Sequence, residues 1–563
     1  MGFRFYFSGI IMLSHQFFQK GGIIMEPEKS GIFELHSDYT QLGDLKPDLS
    51  VEISTTLPKD DPVILHRRVC EAMDFTKLLA TYSKYGDKPD LAPPLMFMIV
   101  SFAYSLGIFS TREIEKACLN DRRFFWLLGG RKAPDHSSVC RSRSGHLIGG
   151  TMQDLHEQQV KLYQKLGEVR LENMFIDGTK LEANANPYSF VWMRAVRGSQ
   201  GKMYEKIKTH LPVLEERYGL DYDFEAFDPA GLLMILWKKL VEKAQEQGIV
   251  FVSGIGKRKT QLQKDMEIVT EWHKREIGYL RKGEIAGDRS SYSKTDRDAT
   301  FMVMKKDHMR NEQLRPGYNV QAGVEGEYVL SVQVYQTTTD SRTLIPFLDG
   351  FYDPYGHKPD LCLDAGYESE EIYDYLEREG YFAFIKPANY EQSKTRKYKG
   401  NIGKRENMAY DPKKDQYTCA QGRKLSVVGK KVEKTKTEYQ REVTIYESKT
   451  CNRCPLRSRC TKAKKGNPKR LQVSKKFVAY REQSLERITS ERGIKMRVNR
   501  SIQAEGVFGW IKANYGFKRF LLRGRNKVSA EIQLFAFALN VKKLHNKIQS
   551  GRTGKTLHEI KTS

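Results

Sequence analysis

No stretch of the sequence approaches the ~18 consecutive apolar residues that a membrane-spanning helix needs, so no span and no membrane partner are expected. Cysteine is sparse: eight in 563 residues are too few for a disulfide scaffold. A reducing, cytoplasmic setting fits that scarcity. Acids are outnumbered as well, 69 Asp and Glu against 94 Lys and Arg, leaving a formal net charge of +25 and a pI near 9.4. Such an excess suits a polyanion, and nucleic acid is the expected partner. A ribosomal or generally basic protein would share the charge but is usually much shorter. The first 24 residues are apolar in flavour, yet they show neither a clear n-region nor a small-residue cleavage site, so a secretion signal is the weaker reading. Met25 opens MEPEKSGIFEL like a natural beginning, and residues 1–24 are expected to be an upstream extension, poorly ordered.

Three stretches, far apart in sequence, each offer one carboxylate in a setting that calls for explanation. Asp177 follows the apolar run Met174-Phe175-Ile176 and precedes Gly178; Asp364 follows Leu361-Cys362-Leu363 and precedes Ala365-Gly366. An acid at the C-terminal tip of a buried strand, with small residues after it to leave room for a ligand, reads as a site residue. Glu505 borders the apolar stripe Ala504, Val507, Phe508, Ile511, Tyr515, which has the rhythm of an amphipathic helix. Gly509 and Lys512 lie on the same line, with ~10 Å of helix between Glu505 and the lysine. Taken singly, a strand-end aspartate can simply cap a turn, and a helical glutamate is most often solvated.

In this order, the three acids resemble those of the DDE transposases of bacterial insertion sequences, most closely the group numbered eleven eighty-two, related to the cut-and-paste elements with a Y-R-E-K signature. The stretches that carry the resemblance are FIDGTKLEANAN (Phe175 to Asn186), GYNVQAGV (Gly317 to Val324), LDAGY (Leu363 to Tyr367), CNRCPLRSRC (Cys451 to Cys460) and EGVFGWIK (Glu505 to Lys512). The resemblance covers most of the chain, roughly Asp61 to Lys547. One departure stands out: the signature puts an arginine four residues before the glutamate, where this chain has Ser501, and Arg500 is the nearest substitute. The resemblance implies an α/β protein with an RNase H-like catalytic core.

The chain in order fits that implication. Residues 1–60 read as extension and extended arm. Residues 61–150 read as a helical N-terminal domain: Leu95, Met98, Ile99, Phe102 and Leu106 mark one helix face, Ser110 with Glu113 makes a capping box, and Gly129-Gly130 stops a short helix. Recognition of the transposon end by this domain is implied by resemblance, with Arg141 and Arg143 as its candidate DNA contacts. Residues 151–386 read as the first part of the core, interrupted by a helical insertion at about 187–310. Tyr318 to Thr338 reads as a hairpin turning at Glu325-Gly326. Residues 387–490 form a β-rich insertion bearing Cys419, Cys451, Cys454 and Cys460, whose C-x2-C knuckle makes structural Zn2+ a candidate beside the reading of four reduced thiols. Residues 491–547 complete the core and 548–563 form a basic tail. Cys70, Cys118, Cys140 and Cys362 read as buried small hydrophobes.

Three carboxylates in one pocket need positive charge among them. Two Mg2+ ions, with Mn2+ able to substitute, supply it through oxygen ligands. Metals ~3.5–4 Å apart can activate water or a 3′-OH and stabilise the leaving oxygen of an in-line phosphoryl displacement. On this reading Asp177 bridges both ions, Asp364 holds one and Glu505 the other. Lys512 and Arg500 hold DNA phosphate, with Thr179 and Lys180 lining the site. The partners are terminal inverted repeats and target DNA, bound by a homodimer on paired ends in the bacterial cytoplasm at the nucleoid. Two other readings stand beside it: a catalytically inactive, transposase-derived DNA-binding protein, and a nuclease of the same fold.

Overall fold

The computed structural model describes residues 57–560 except 84, 86–87, 220–227, 255, 305–312, 352–355, 450, 452–453 and 465. The expected upstream extension and nearly all of the extended arm therefore lie outside the described residues. The chain divides into two compact units, Met1–Gly167 with Gln533–Thr553 and Glu168–Ile532 with Gly554–Ser563. Residues 533–547, read in the sequence as core completion, fall with the N-terminal unit.

That unit is helical among its described residues. Helix Pro93–Ser105 begins on two prolines, which the first turn tolerates because its N–H groups have no partner within the helix. It is buried on every side rather than along one face. Phe97 meets Phe537 edge-on at 5.1 Å between ring centroids, which places the returning helix Arg525–Gln549 in the same core. Helix Thr111–Asn120 forms where the capping box predicts it, but the Ser110 side chain makes no cap bond. Helix Arg122–Leu128 ends on Gly129 in the left-handed region, and Asp135 caps His136–Arg141 through the Ser138 N–H at 2.7 Å. Cys70 and Cys118 are buried as expected, whereas Cys140 is exposed on that last helix.

The second unit carries the strands: β1 Asn173–Glu182, β2 Phe190–Trp192, β3 Ser291–Ser293, β4 Thr300–Val303, β5 Leu314–Glu325, β6 Tyr328–Tyr335, β7 Asp360–Leu363, β8 Ala383–Ile385, β9 Ala409–Asp411, β10 Gln416–Thr418, β11 Lys424–Lys434, β12 Gln440–Glu447 and β13 Arg470–Val473. A mixed sheet runs β4-β5-β1-β7-β8, with β6 also on β5. Pairing is antiparallel for β1 with β5 and β5 with β6, and parallel for β1 with β7 and β7 with β8. The β5–β6 hairpin turns on Gly326 and Glu327, both at positive φ (61° and 70°), as a two-residue turn matched to strand twist requires. The start of β1 is fixed by Glu325, fully buried, whose carboxylate accepts the backbone N–H groups of Arg170, Leu171, Glu172 and Asn173. Burial still pushes its pKa up.

Phe175, Cys362 and Phe384 on three neighbouring strands pack against Ile488, Met496 and Ala504, so helices Lys475–Thr489 and Glu491–Arg500 lie across the sheet. Between β2 and β3 the chain leaves as three long helices, Met193–Tyr218, Pro229–Glu246 and Gln261–Ala286, with a leucine-rich core of their own. The predicted β-rich insertion is a five-stranded antiparallel sheet in the order β13-β12-β11-β10-β9. The end of the chain is not a loose tail: Thr556 is buried, and its carbonyl accepts from Gln503 at 2.9 Å. The His558 N–H donates to Asn499 at 2.7 Å.

Candidate active site

The parallel register of β1 and β7 runs from Asn173↔Asp360 to Ile176↔Leu363. Asp177 is the next residue of β1 and Asp364 directly follows β7, so the register sets the two residues side by side. Asp364 stands at a strand end as predicted, and its Oδ1 also caps the following 3-10 turn through the Gly366 N–H at 2.5 Å. Asp177 does not. β1 continues to Glu182 against β5, placing Asp177 mid-strand opposite Ala322. The apolar run ends there because parallel pairing ends there, not because the strand does. Asp177 is 7% exposed and its Oδ1 accepts the Gly178 N–H at 2.8 Å.

The smallness of Gly178 has a different cause from the one predicted. Gly178 pairs with Gln321 across β1–β5, and a Cβ on Gly178 would collide with the Gln321 amide. The space belongs to a side chain of the protein, not to a ligand. Gln321, wholly buried, donates to Asn319 Oδ1 at 2.9 Å and to Asp340 Oδ1 at 3.0 Å, and accepts from the Tyr367 hydroxyl. Asn319 donates to the same Asp340 oxygen at 2.8 Å. The other Asp340 oxygen and Asp364 Oδ1 both face Gly366, 3.4 Å and 3.5 Å from where a Cβ would stand. The Tyr367 pKa is driven far up, first by burial and then by Asp340, Asp177 and Asp364 around it. A hydrogen-bonded floor of Asn319, Gln321, Asp340 and Tyr367 thus underlies the two aspartates. GYNVQ was visible as a motif, but the sequence offered no signal linking Asp340 to it.

Glu505 is not on a regular α-helix. Helix Glu491–Arg500 passes into a π turn, Ser501–Glu505, then one α turn, Gly506–Gly509, then a second π turn, Trp510–Asn514. A π turn brings residues five apart onto one face, and such turns are frequent at functional sites. The consequence is local: Arg500, five residues before Glu505, donates from Nη2 to Glu505 Oε1 at 3.0 Å. Its Nη1 lies 3.7 Å from Asp177 Oδ2 and is a buried atom with no hydrogen-bond partner among the described residues. Ser501 Oγ donates to Glu505 Oε2 at 3.1 Å. The arginine that a regular helix would need four residues upstream is supplied from five. Lys512, on the second π turn, donates to Thr179 Oγ1 at 2.5 Å and to the Lys180 carbonyl at 2.8 Å. Glu505 is exposed, unlike Asp177.

The structure thus joins Asp177 and Glu505 through Arg500, sets Asp364 beside Asp177 by register, and ties Lys512 to Thr179. Lys180 is half-buried on the same strand. Carboxylate oxygens are hard donors of the kind Mg2+ takes, so the residues suit such ions. Among the described residues, however, no group of three or more His, Cys, Asp or Glu side chains stands arranged to hold a metal ion. The Arg500 guanidinium supplies positive charge between two of the acids, Asp177 and Glu505. In the helical unit, Arg141 is exposed. Arg143 is buried and spends its guanidinium on the Tyr104 hydroxyl (3.1 Å) and the Phe109 carbonyl (2.7 Å). In the β-rich insertion, Cys419, Cys451, Cys454 and Cys460 line one small cavity. No described helix is long and apolar enough to cross a membrane.

Two segments of the chain resemble known families. Residues 418–545, which include the four cysteines, Arg500, Glu505 and Lys512, match the family model described as "Transposase DDE domain". Residues 51–145, which include Arg141 and Arg143, match the model described as "Transposase domain (DUF772)". Asp177 and Asp364 lie outside both matches. No curated protein and no solved structure matches the chain.

Proposed function

We propose that the chain is a DDE transposase of an insertion sequence, of the group numbered eleven eighty-two, cutting DNA at the element's ends and joining them to a target by phosphoryl transfer. What supports this is that the β1–β7 register sets Asp177 beside Asp364, and that Arg500 reaches both Asp177 and Glu505. The order β6-β5-β1-β7-β8, three antiparallel strands followed by two parallel ones, supports an RNase H-like core with helical and β-rich insertions. Asp177, Asp364 and Glu505 would hold two Mg2+ or Mn2+ ions. The chemistry such ions supply is activation of an attacking oxygen and stabilisation of a leaving one. Arg500, whose guanidinium reaches Asp177 and Glu505, would also be placed to meet a phosphate oxygen. Lys512 pins the Glu505 helix to β1 beside Asp177 and presents a second cation to the backbone. Terminal inverted repeats, target DNA and a homodimer holding two ends are the partners of this reading, in the cytoplasm at the nucleoid, with Arg141 as the accessible end-binding arginine.

The test is incubation of the full chain with Mg2+ and a DNA fragment carrying the terminal repeats. End-specific nicks and joined product are expected, and Asp177→Asn should lower both by at least ~10³-fold while leaving DNA binding intact. Binding without cleavage by the natural chain would support the catalytically inactive reading instead. Cleavage without end preference would point to a nuclease, and equal turnover by Asp177→Asn would remove that residue from the site.

A further inference from the structure

The four cysteines of the β-rich insertion come from three places in the chain. Cys419 opens a tight turn, its carbonyl accepting from Gly422 at 2.8 Å and its N–H donating to Arg423 at 2.9 Å, and Gly422 has φ +74°. The Cys454 N–H donates to the Cys451 carbonyl at 3.2 Å. Cys460 ends the short helix Arg457–Cys460. All four are half-buried and none is in a disulfide. They surround a cavity of ≈ 20 Å³, the space of a single ion or water. Burial raises the pKa of Cys460; the Lys469 ammonium opposes that, and the other three cysteines add to it.

The same residues organise a basic loop. From Lys449 to Arg470 there are nine Lys and Arg and no Asp or Glu. Arg457 holds the loop from inside, donating from Nη2 to the carbonyls of Ala463, Lys464 and Asn467 at 3.2, 2.7 and 2.8 Å. Lys469 ties it to the Gly403 and Cys460 carbonyls at 2.9 and 3.3 Å. With those two spent inward, Arg459, Lys462 and Lys464 remain exposed.

We propose that this cavity takes one Zn2+ on four thiolates, and that the ion fixes the loop so that Arg459, Lys462 and Lys464 grip the phosphate backbone of DNA. The chemistry follows from the donors. Four sulfur ligands select a soft, tetrahedral cation over Mg2+ or Ca2+. The thiols release their protons on binding. No side-chain set is already drawn to metal-holding geometry, so binding closes the turns inward and stiffens the loop. The metal half stands independently of the proposed function, whereas the DNA half rests on it.

The experiment uses the full chain grown with zinc, with metal content and DNA affinity measured on the same preparation. One zinc per chain is expected, lost in Cys451→Ser/Cys454→Ser and retained in Asp177→Asn. Co2+-loaded natural protein should show thiolate-to-metal charge-transfer absorption that the double variant lacks. Natural protein without stoichiometric zinc, or a double variant with as much zinc as the natural chain, overturns the metal site. Lys462→Glu/Lys464→Glu, on exposed side chains, should keep its zinc but bind DNA about tenfold more weakly, with a salt slope shallower by about 2. Unchanged affinity and slope overturn the DNA contact. If the natural chain binds zinc but no DNA, the proposed function falls with the loop's role, and the metal site stands.

Discussion

The aspartates and the glutamate of the candidate site are held in opposite ways. Asp177 and Asp364 sit on neighbouring parallel strands, so their separation is set by backbone hydrogen bonds and by the buried floor of Asn319, Gln321, Asp340 and Tyr367. Glu505 is exposed on a helix that alternates α and π turns, and side-chain contacts fix its place: Arg500, Ser501 and, a little further along, Lys512. One half of the site is pre-organised and hard to move. The other is held by a few polar contacts, and it carries the guanidinium that reaches across to Asp177. The difference teaches that a strand register can fix two acids side by side through the backbone, whereas the third acid depends on side-chain contacts with its neighbours.

Arg500→Ala should break this arrangement most severely. It removes a charged partner from two acids at once, worth about 3 kcal/mol, so DNA cleavage should fall on the order of 10²-fold. Because the internal competitor is gone, the same variant should bind Mn2+ more tightly than the natural chain; weaker binding would mean that Arg500 does not occupy the metal's place. Next comes the floor. Gln321→Ala should lower cleavage about tenfold with Mn2+ affinity little changed, because the aspartates lose orientation rather than charge. An unaffected rate would show that the strands alone suffice. The smallest effect is expected from Ser501→Ala, about threefold in rate, the loss of one neutral donor from Glu505. Should Ser501→Ala equal Arg500→Ala, the π turn would not be what places the arginine.

Much of this was legible in the residues. The apolar runs before Asp177 and Asp364 marked buried strands and the Glu325-Gly326 pair marked a hairpin, because each signal is local. What was not legible depended on pairing and register. Nothing in FIDGT tells that β1 continues past Asp177, since the antiparallel partner that extends it lies more than a hundred residues later. Gly178 could not be read as a seat for Gln321 without the β1–β5 register. An α-helical stripe at Ala504 to Ile511 hid the two π turns, and with them the reason Arg500 can serve in place of an arginine at Ser501. Arg143 looked like a surface cation, and only tertiary packing reveals it inside the helical unit.

The central claim, that Asp177, Asp364 and Glu505 share divalent metal, is tested most directly by titrating Mn2+ into the full chain and counting bound ions by electron paramagnetic resonance. Two Mn2+ per chain in the natural protein, coupled to each other, and at most one in Asp177→Asn are expected. The same Mn2+ count and coupling in both proteins would contradict the account.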